Sequence, residues 1–154
     1  MLAHDLCAMI QNGARGRLRS VPLPFTKRAI NLSSVLLKHG FLYNVTLGTH
    51  EGPSPSSWHQ ATSDSSRKIW LDIKYASDQS PVLRQLNVVS KPSKRIFVDE
   101  KDLLLLCTGR RAAFVPPFKT GEIGIVDAGE HGWCEAREAI ERKWQGELVA
   151  RAMW

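Results

Sequence analysis

Cysteine is scarce in this chain of 154 residues, and its three copies, Cys7, Cys107 and Cys134, are odd in number and far apart, with no C-x-x-C pair. That pattern excludes a disulfide framework and lacks the ligand spacing of a zinc site, so the thiols read as reduced packing residues. Long apolar runs are missing as well. The longest, Leu103 to Cys107, is too short to span a bilayer. The opening residues lack a charged segment followed by an apolar signal core, so a soluble, non-secreted chain without a membrane partner is expected. Phosphate-cradling glycine loops are absent, because Gly121, Gly124, Gly129 and Gly132 form neither G-x-G-x-x-G nor a run ending in G-K-[ST]. No cofactor is expected.

Acids are missing from two stretches. Between Met1 and His50 the only one is Asp5, against Arg15, Arg17, Arg19, Lys27, Arg28 and Lys38, and between Arg84 and Val98 there is none, against Arg84, Lys91, Lys94 and Arg95. Glu122 to Glu147 reverses the balance, with seven acids against Arg137, Arg142 and Lys143. The net charge of +6 and pI near 9.5 suit a polyanionic partner, and the cations that would meet it are N-terminal and central.

With 43% hydrophobic residues, the chain can fold as one domain or two small ones. Leu2, Leu6, Met9, Ile10 and Gly13 recur at helical spacing, predicting a first helix that ends near Asn12-Gly13, followed by a basic turn from Arg15 to Arg19. After Pro22 and Pro24, Thr26 is placed to cap a second helix that closes at Lys38-His39-Gly40. Phe41 to Leu47 and the alternating Lys68 to Tyr75 read as strands. Between them, Gly48 to Ser66 lacks periodicity and reads as a long surface loop, an insertion. Further on, Val82 to Val89 and Lys94 to Val98 are strands flanking a Ser90-Lys91-Pro92-Ser93 turn, and Asp99 to Cys107 is a short helix. Ala112 to Val115 and Ile123 to Val126 are strand candidates, Glu135 to Lys143 is helical, and Leu148 to Trp154 closes as a strand. The class is α+β: an N-terminal helix-strand-helix-strand unit at 1–78, carrying the insertion 48–66, and a C-terminal mainly β unit with short helices at 79–154.

The most enzyme-like stretch, Asp127-Ala-Gly-Glu-His-Gly-Trp-Cys134, places an acid, a histidine and a thiol within eight residues. A catalytic triad is assembled by tertiary geometry, and this composition is that of a strand-to-helix loop, so no catalytic residue is assigned. His131 and Cys134 are two possible ligands, which do not make a metal site, and His50 and His59 have no cysteine nearby. Trp70, Trp133, Trp144 and Trp154 fall in predicted elements where packing is their role, which leaves Trp58 as the exposed one. Lys91, Lys94 and Arg95 gather on one turn, where their heads can reach phosphates while staying hydrated.

Leu86-x-Val-Val-Ser-Lys-Pro-Ser-Lys-Arg-Ile-Phe-Val98 resembles the signature of the small-subunit ribosomal protein S-eight family, in which a strand enters a Ser-Lys-Pro turn and leaves through a basic residue and an aromatic. Other matches follow in the family's order. Ile10-Gln-Asn-Gly13 is similar to the end of its first helix, Pro24-Phe-Thr-Lys27 to the start of its second, and Leu36-Leu-Lys-His-Gly-Phe-Leu42 to that helix's end. Gly132-Trp-Cys-Glu-Ala-Arg-Glu-Ala139, Gly146-Glu-Leu148 and the final Trp154 resemble its C-terminal helix start and strand.

The resemblance implies a structural protein with no small-molecule substrate. It would bind small-subunit ribosomal RNA in the central domain, early in assembly, among neighbouring small-subunit proteins. RNA-binding positions on the matched motifs are Asn12, Thr26, Lys27, Ser90, Lys91, Lys94 and Arg95, with Arg28 beside them as a cation at the helix start and Arg15, Arg17 and Arg19 as a second group. The family's RNA-reading Ser-Thr-Ser loop falls between Asp127 and Gly132, where this chain has no hydroxyl. Contact there is expected through the backbone N–H groups of Ala128, Gly129 and Gly132, with His131 stacking or donating a hydrogen bond and both acids turned away. Met9 and Gln11 stand where the family carries basic residues. Eroded contacts plus an insertion suggest a mitochondrial ribosome, with the mitochondrial matrix as location and a bacterial cytoplasm as the alternative. Any import signal would lie in the first helix and Arg15, Arg17 and Arg19. An RNA-binding module acting off the ribosome and a small Cys/His hydrolase are the competing readings.

Overall fold

The computed structural model describes residues 1–154, which divide into two compact units, Met1–Arg84 and Gln85–Trp154. The division falls after Arg84 rather than after Asp78. Val82 N donates to Lys74 O at 2.9 Å and Tyr75 bridges to Pro81, which ties the intervening turn to the first unit.

The first unit begins with α1 (Ala3–Arg15), which buries Leu6, Cys7, Ile10 and Ala14. It continues beyond Gly13, where a helix end was expected, because that residue is at a packing contact: a Cβ there would collide with the Val21 side chain. Pro22 and Pro24, read from sequence as the approach to a helix, lie in strand β1 (Ser20–Pro24). The three-stranded antiparallel sheet runs β1-β3-β2, with β3 at Arg67–Ile73 and β2 at Leu42–Thr49. Proline is tolerated in β1 because an edge strand can leave its missing donors on the unpaired side. Ile69, Leu71 and Ile73 alternate inward on β3 as their spacing predicted.

Helix α2 (Lys27–Lys38) begins where Thr26 Oγ1 accepts from Ala29 N at 3.2 Å. It ends at Gly40, whose φ of +78° suits glycine, with Phe41 N returning to Leu36 O at 3.0 Å. The insertion is structured. Helix α3 (Pro55–Gln60) has proline at its start, and Trp58 is half-buried rather than exposed, edge-on to Phe25 at 5.4 Å with the Arg67 guanidinium 4.7 Å from its ring centre. That aromatic anchor involves residues far from it in sequence, so periodicity could not reveal it.

The second unit is a five-stranded antiparallel sheet in which β8 (Gly146–Met153) pairs with β4 (Gln85–Val88), β5 (Phe97–Val98) and β6 (Glu122–Asp127), while β7 (Trp133–Glu135) pairs with β6. Strands β4 and β5 are shorter than expected, and each pairs with β8 rather than with the other. Helix α4 (Glu100–Cys107) is capped by Asp99, which accepts from Asp102 N at 2.8 Å, and α5 spans Ala136–Glu141. Ala112 to Val115 is a two-residue turn, not a strand. The core joins Leu103 and Leu106 of α4, Ala136 and Ala139 of α5, and Val126, Cys134 and Leu148 of the sheet.

Candidate nucleic-acid interface

In the first unit two sets of cations are exposed. Arg15, Arg17 and Arg19 leave α1 on a turn tied at both ends: Arg17 N donates to Ala14 O, Leu18 N to Gly13 O, and Arg19 O accepts from Ile73 N. Tyr75 adds a 2.6 Å hydrogen bond from its hydroxyl to Leu18 O. The turn is therefore part of the fold. Asn12 is exposed on the last turn of α1, beside the arginines. Thr26 Oγ1 accepts from Ala29 N as the cap of α2, which gives it a structural role. Lys27 and Arg28 occupy the first turn of that helix, with no acid beside them. The helix dipole disfavours cations there, and an external anion would relieve the conflict.

In the second unit the turn at 90–96 is a hairpin closed by reciprocal bonds between Lys91 and Lys94, each 3.0 Å. Ser90, assigned to RNA from sequence, is only 7% exposed. Its Oγ accepts from Ile96 N at 2.8 Å and so fastens the hairpin base. The three cations are exposed and differ in what holds them. Arg95 pairs with Glu147 at 3.3 Å, Lys94 Nζ lies 5.3 Å from the centre of the Phe114 ring, and Lys91 stands without an intramolecular partner.

The loop from Asp127 to Gly132 corrects the expectation made for it. Ala128 N donates to Gly132 O at 2.9 Å, Gly129 N to Asp127 Oδ1 at 3.0 Å and Gly132 N to Gly129 O at 3.1 Å. The three N–H groups expected to reach RNA are satisfied inside the loop. His131 lies parallel to Trp144, ring centres 4.4 Å apart and planes 5° apart, so one of its faces is covered. Asp127 Oδ1 accepts from Gly129 N, and the residue also lines the hollow beside the loop. What the loop presents outward is a shallow hollow of about 280 Å³ lined by Asp127, Ala128, Gly129, Gly146, Glu147 and Phe97, so two carboxylates border it, and Phe97 is 66% exposed. Asp127, Glu147 and Phe97 stand opposite one another across β6, β8 and β5. Phe97 was not singled out from sequence, although the inward positions Ile96 and Val98 on either side signal that it faces out.

Gly146 permits this close join. A Cβ there would collide with the Asp127 carbonyl oxygen and lie 3.1 Å from Ala128 Cα. Gly146→Ala is expected to destabilise the unit by about 1–3 kcal/mol, as overpacking against backbone does, read as a lower urea midpoint with an unchanged slope.

The thiols are set apart from these surfaces. Cys134, the nucleophile of the hydrolase reading, is 4% exposed within the core, and burial pushes Cys7 up to about 12.

The α+β chain carries exposed cations on a tied turn and a helix start in its first unit and on a hairpin in its second. It belongs to the ribosomal protein S8 family, whose model matches residues 2–153. The chain is similar to the small ribosomal subunit protein uS8m of Schizosaccharomyces pombe, 30% identical over 98% of this chain and 99% of that protein. It is 29% identical to the uS8m of Neurospora crassa, over 96% and 94% of the two chains, and 28% identical to uS8 of Roseiflexus castenholzii, over 94% and 91%.

Proposed function

We propose that this protein is a structural constituent of the mitochondrial small ribosomal subunit, residing in the matrix, that binds small-subunit ribosomal RNA in its central domain and supports assembly. The observation that carries this reading is end-to-end similarity to mitochondrial small-subunit proteins. The exposed cations of both units supply the chemistry. Lys27 and Arg28, with Asn12, Arg15, Arg17 and Arg19 nearby in sequence, would meet phosphates from the first unit, and Lys91, Lys94 and Arg95 from the second. Thr26 and Ser90 act by holding α2 and the hairpin in shape. The 127–132 loop would touch RNA through van der Waals contact of Gly129, Gly132 and Phe97 and the uncovered face of His131. Neighbouring small-subunit proteins complete the surroundings, and no catalysis is involved.

The test is sedimentation of mitochondrial extract at physiological salt. The protein is expected in small-subunit fractions and absent from the soluble pool. Recovery mainly outside those fractions would defeat the assembly reading and favour a module acting off the ribosome.

A further inference from the structure

The segment between α4 and β6 contains a feature that neither the fold nor the surfaces above require. Ala112 N donates to Val115 O at 3.3 Å and Val115 N to Ala112 O at 2.8 Å, closing a two-residue turn whose tip residues Ala113 and Phe114 have φ of +48° and +62°. Side chains of L residues avoid that region, and such turns ordinarily carry Asn or Gly. Phe114 is nevertheless there, 87% exposed. An apolar ring held out on an unfavourable backbone buries little surface on folding. Backbone outliers of this kind concentrate at binding sites.

The turn is held rigidly from below. Arg151 Nη1 donates to Pro116 O at 2.8 Å and Nη2 to Pro117 O at 2.7 Å, so the strand β8 guanidinium fastens the chain immediately after Phe114. Beside the ring lies a pocket of about 380 Å³, walled by Phe114, Pro116 and Pro117 and floored by Val89 and Ile96. Gln85 and Asn87, both exposed on β4, line it with carboxamides. Cations surround it: Lys94 over the ring at 5.3 Å, Lys119 in the lining, and Arg110 and Arg111 exposed just before the turn. The one acid in the lining, Glu122, has both oxygens taken by Arg151, at 2.8 and 2.6 Å.

We propose that this pocket receives a single unpaired nucleotide of RNA, its base stacked on Phe114, its edge read by Gln85 and Asn87, and its phosphates met by Lys119 and Lys94. The proposal rests on the RNA-binding reading above and adds a site to it. An aromatic platform, amide groups and a cationic rim with no unpaired carboxylate match a nucleotide, whereas a peptide of mixed charge would leave the rim unanswered.

The experiment measures binding of the full chain to a labelled single-stranded oligoadenylate and to a small-subunit RNA fragment over a range of salt. Phe114→Ala is expected to weaken oligoadenylate binding about tenfold without changing the slope of log affinity against log salt, because a neutral ring releases no counterions. Phe114→Trp should restore binding. Lys119→Ala should instead flatten the slope by about 0.7. Phe114→Gly removes the ring and suits the positive φ, so it should bind as weakly as Phe114→Ala while melting at the same or a higher temperature, which separates lost stacking from lost fold. If the wild-type chain binds the RNA fragment and Phe114→Ala matches it on both ligands, the pocket is not a nucleotide site, though the RNA-binding reading stands. If the wild-type chain binds neither ligand, both fall.

Discussion

Arg151→Met is expected to cost the C-terminal unit about 3–5 kcal/mol, a large part of the roughly 5–15 kcal/mol that holds a domain of ordinary stability together. Arg151 is 8% exposed and Glu122 6%. Removing the guanidinium strands a carboxylate in the interior and releases the Pro116 and Pro117 carbonyls, which loosens the linker that carries Val115 and Phe118 into the core. The guanidinium also lies 5.0 Å from the centre of the Phe118 ring, and that ring covers Gly124, where a Cβ would not fit. Adding Glu122→Leu should recover much of the loss, since the unpaired charge is then gone, but not the two carbonyl bonds. Urea midpoints of the single and double variants measure the difference. A loss below about 1 kcal/mol for Arg151→Met would show that water reaches the pair and screens it.

The same pair sets an acid limit. Burial raises the Glu122 carboxyl, but hydrogen bonds and charge from Arg151, helped by Lys119 N, outweigh that and hold it below its usual 4.5. A carboxyl depressed by folding contributes stability above its unfolded value and loses it as pH falls through the folded one. Stability should therefore drop on acidification below about pH 4.5, and Glu122→Gln should be flatter with pH across that window.

What was legible in the sequence is what depends on near neighbours. Thr26 caps α2, β3 alternates and Gly40 ends its helix because each signal lies within a few residues of its effect. The elements that escaped depend on distant partners. β1 is a strand despite two prolines because β3 pairs with it, and α3 stays down because Trp58 finds Phe25 and Arg67. At the candidate interface, the cations were visible as charge in turns, but their availability was not. Whether Arg95 is free depends on Glu147, 52 positions away, and whether Ser90 faces out depends on the Ile96 backbone. The N–H groups of Ala128, Gly129 and Gly132 find their acceptors through the loop's own conformation, including the positive φ of Gly129 and Gly132, which no sequence pattern displays.

Those differences in availability make the RNA-binding prediction specific. A variant with Lys27, Arg28, Lys91 and Lys94 replaced by alanine is expected to bind small-subunit RNA with a log affinity against log salt slope flatter by about three units, at roughly 0.7–0.9 per lost phosphate contact. All four side chains are exposed, so the fold should survive. Lys101→Ala, an exposed change on α4 between Glu100 and Asp102, serves as the control and should leave the slope alone. Arg95 behaves differently from its neighbours because it is already paired, and an exposed pair of this kind is worth about 0–1 kcal/mol. Arg95→Ala should therefore cost less than Lys91→Ala, since part of what the guanidinium gains from a phosphate is offset by leaving Glu147. Glu147→Gln should in turn strengthen binding, by freeing Arg95 and removing a charge that repels phosphate beside Phe97. Filter binding across a salt series reads all five proteins against the wild type. An unchanged slope in the fourfold variant would mean that these cations are merely solvated, and strengthening by Glu147→Gln without any loss in Lys91→Ala would move the contact from the hairpin tip to the row of Phe97, Glu147 and Asp127.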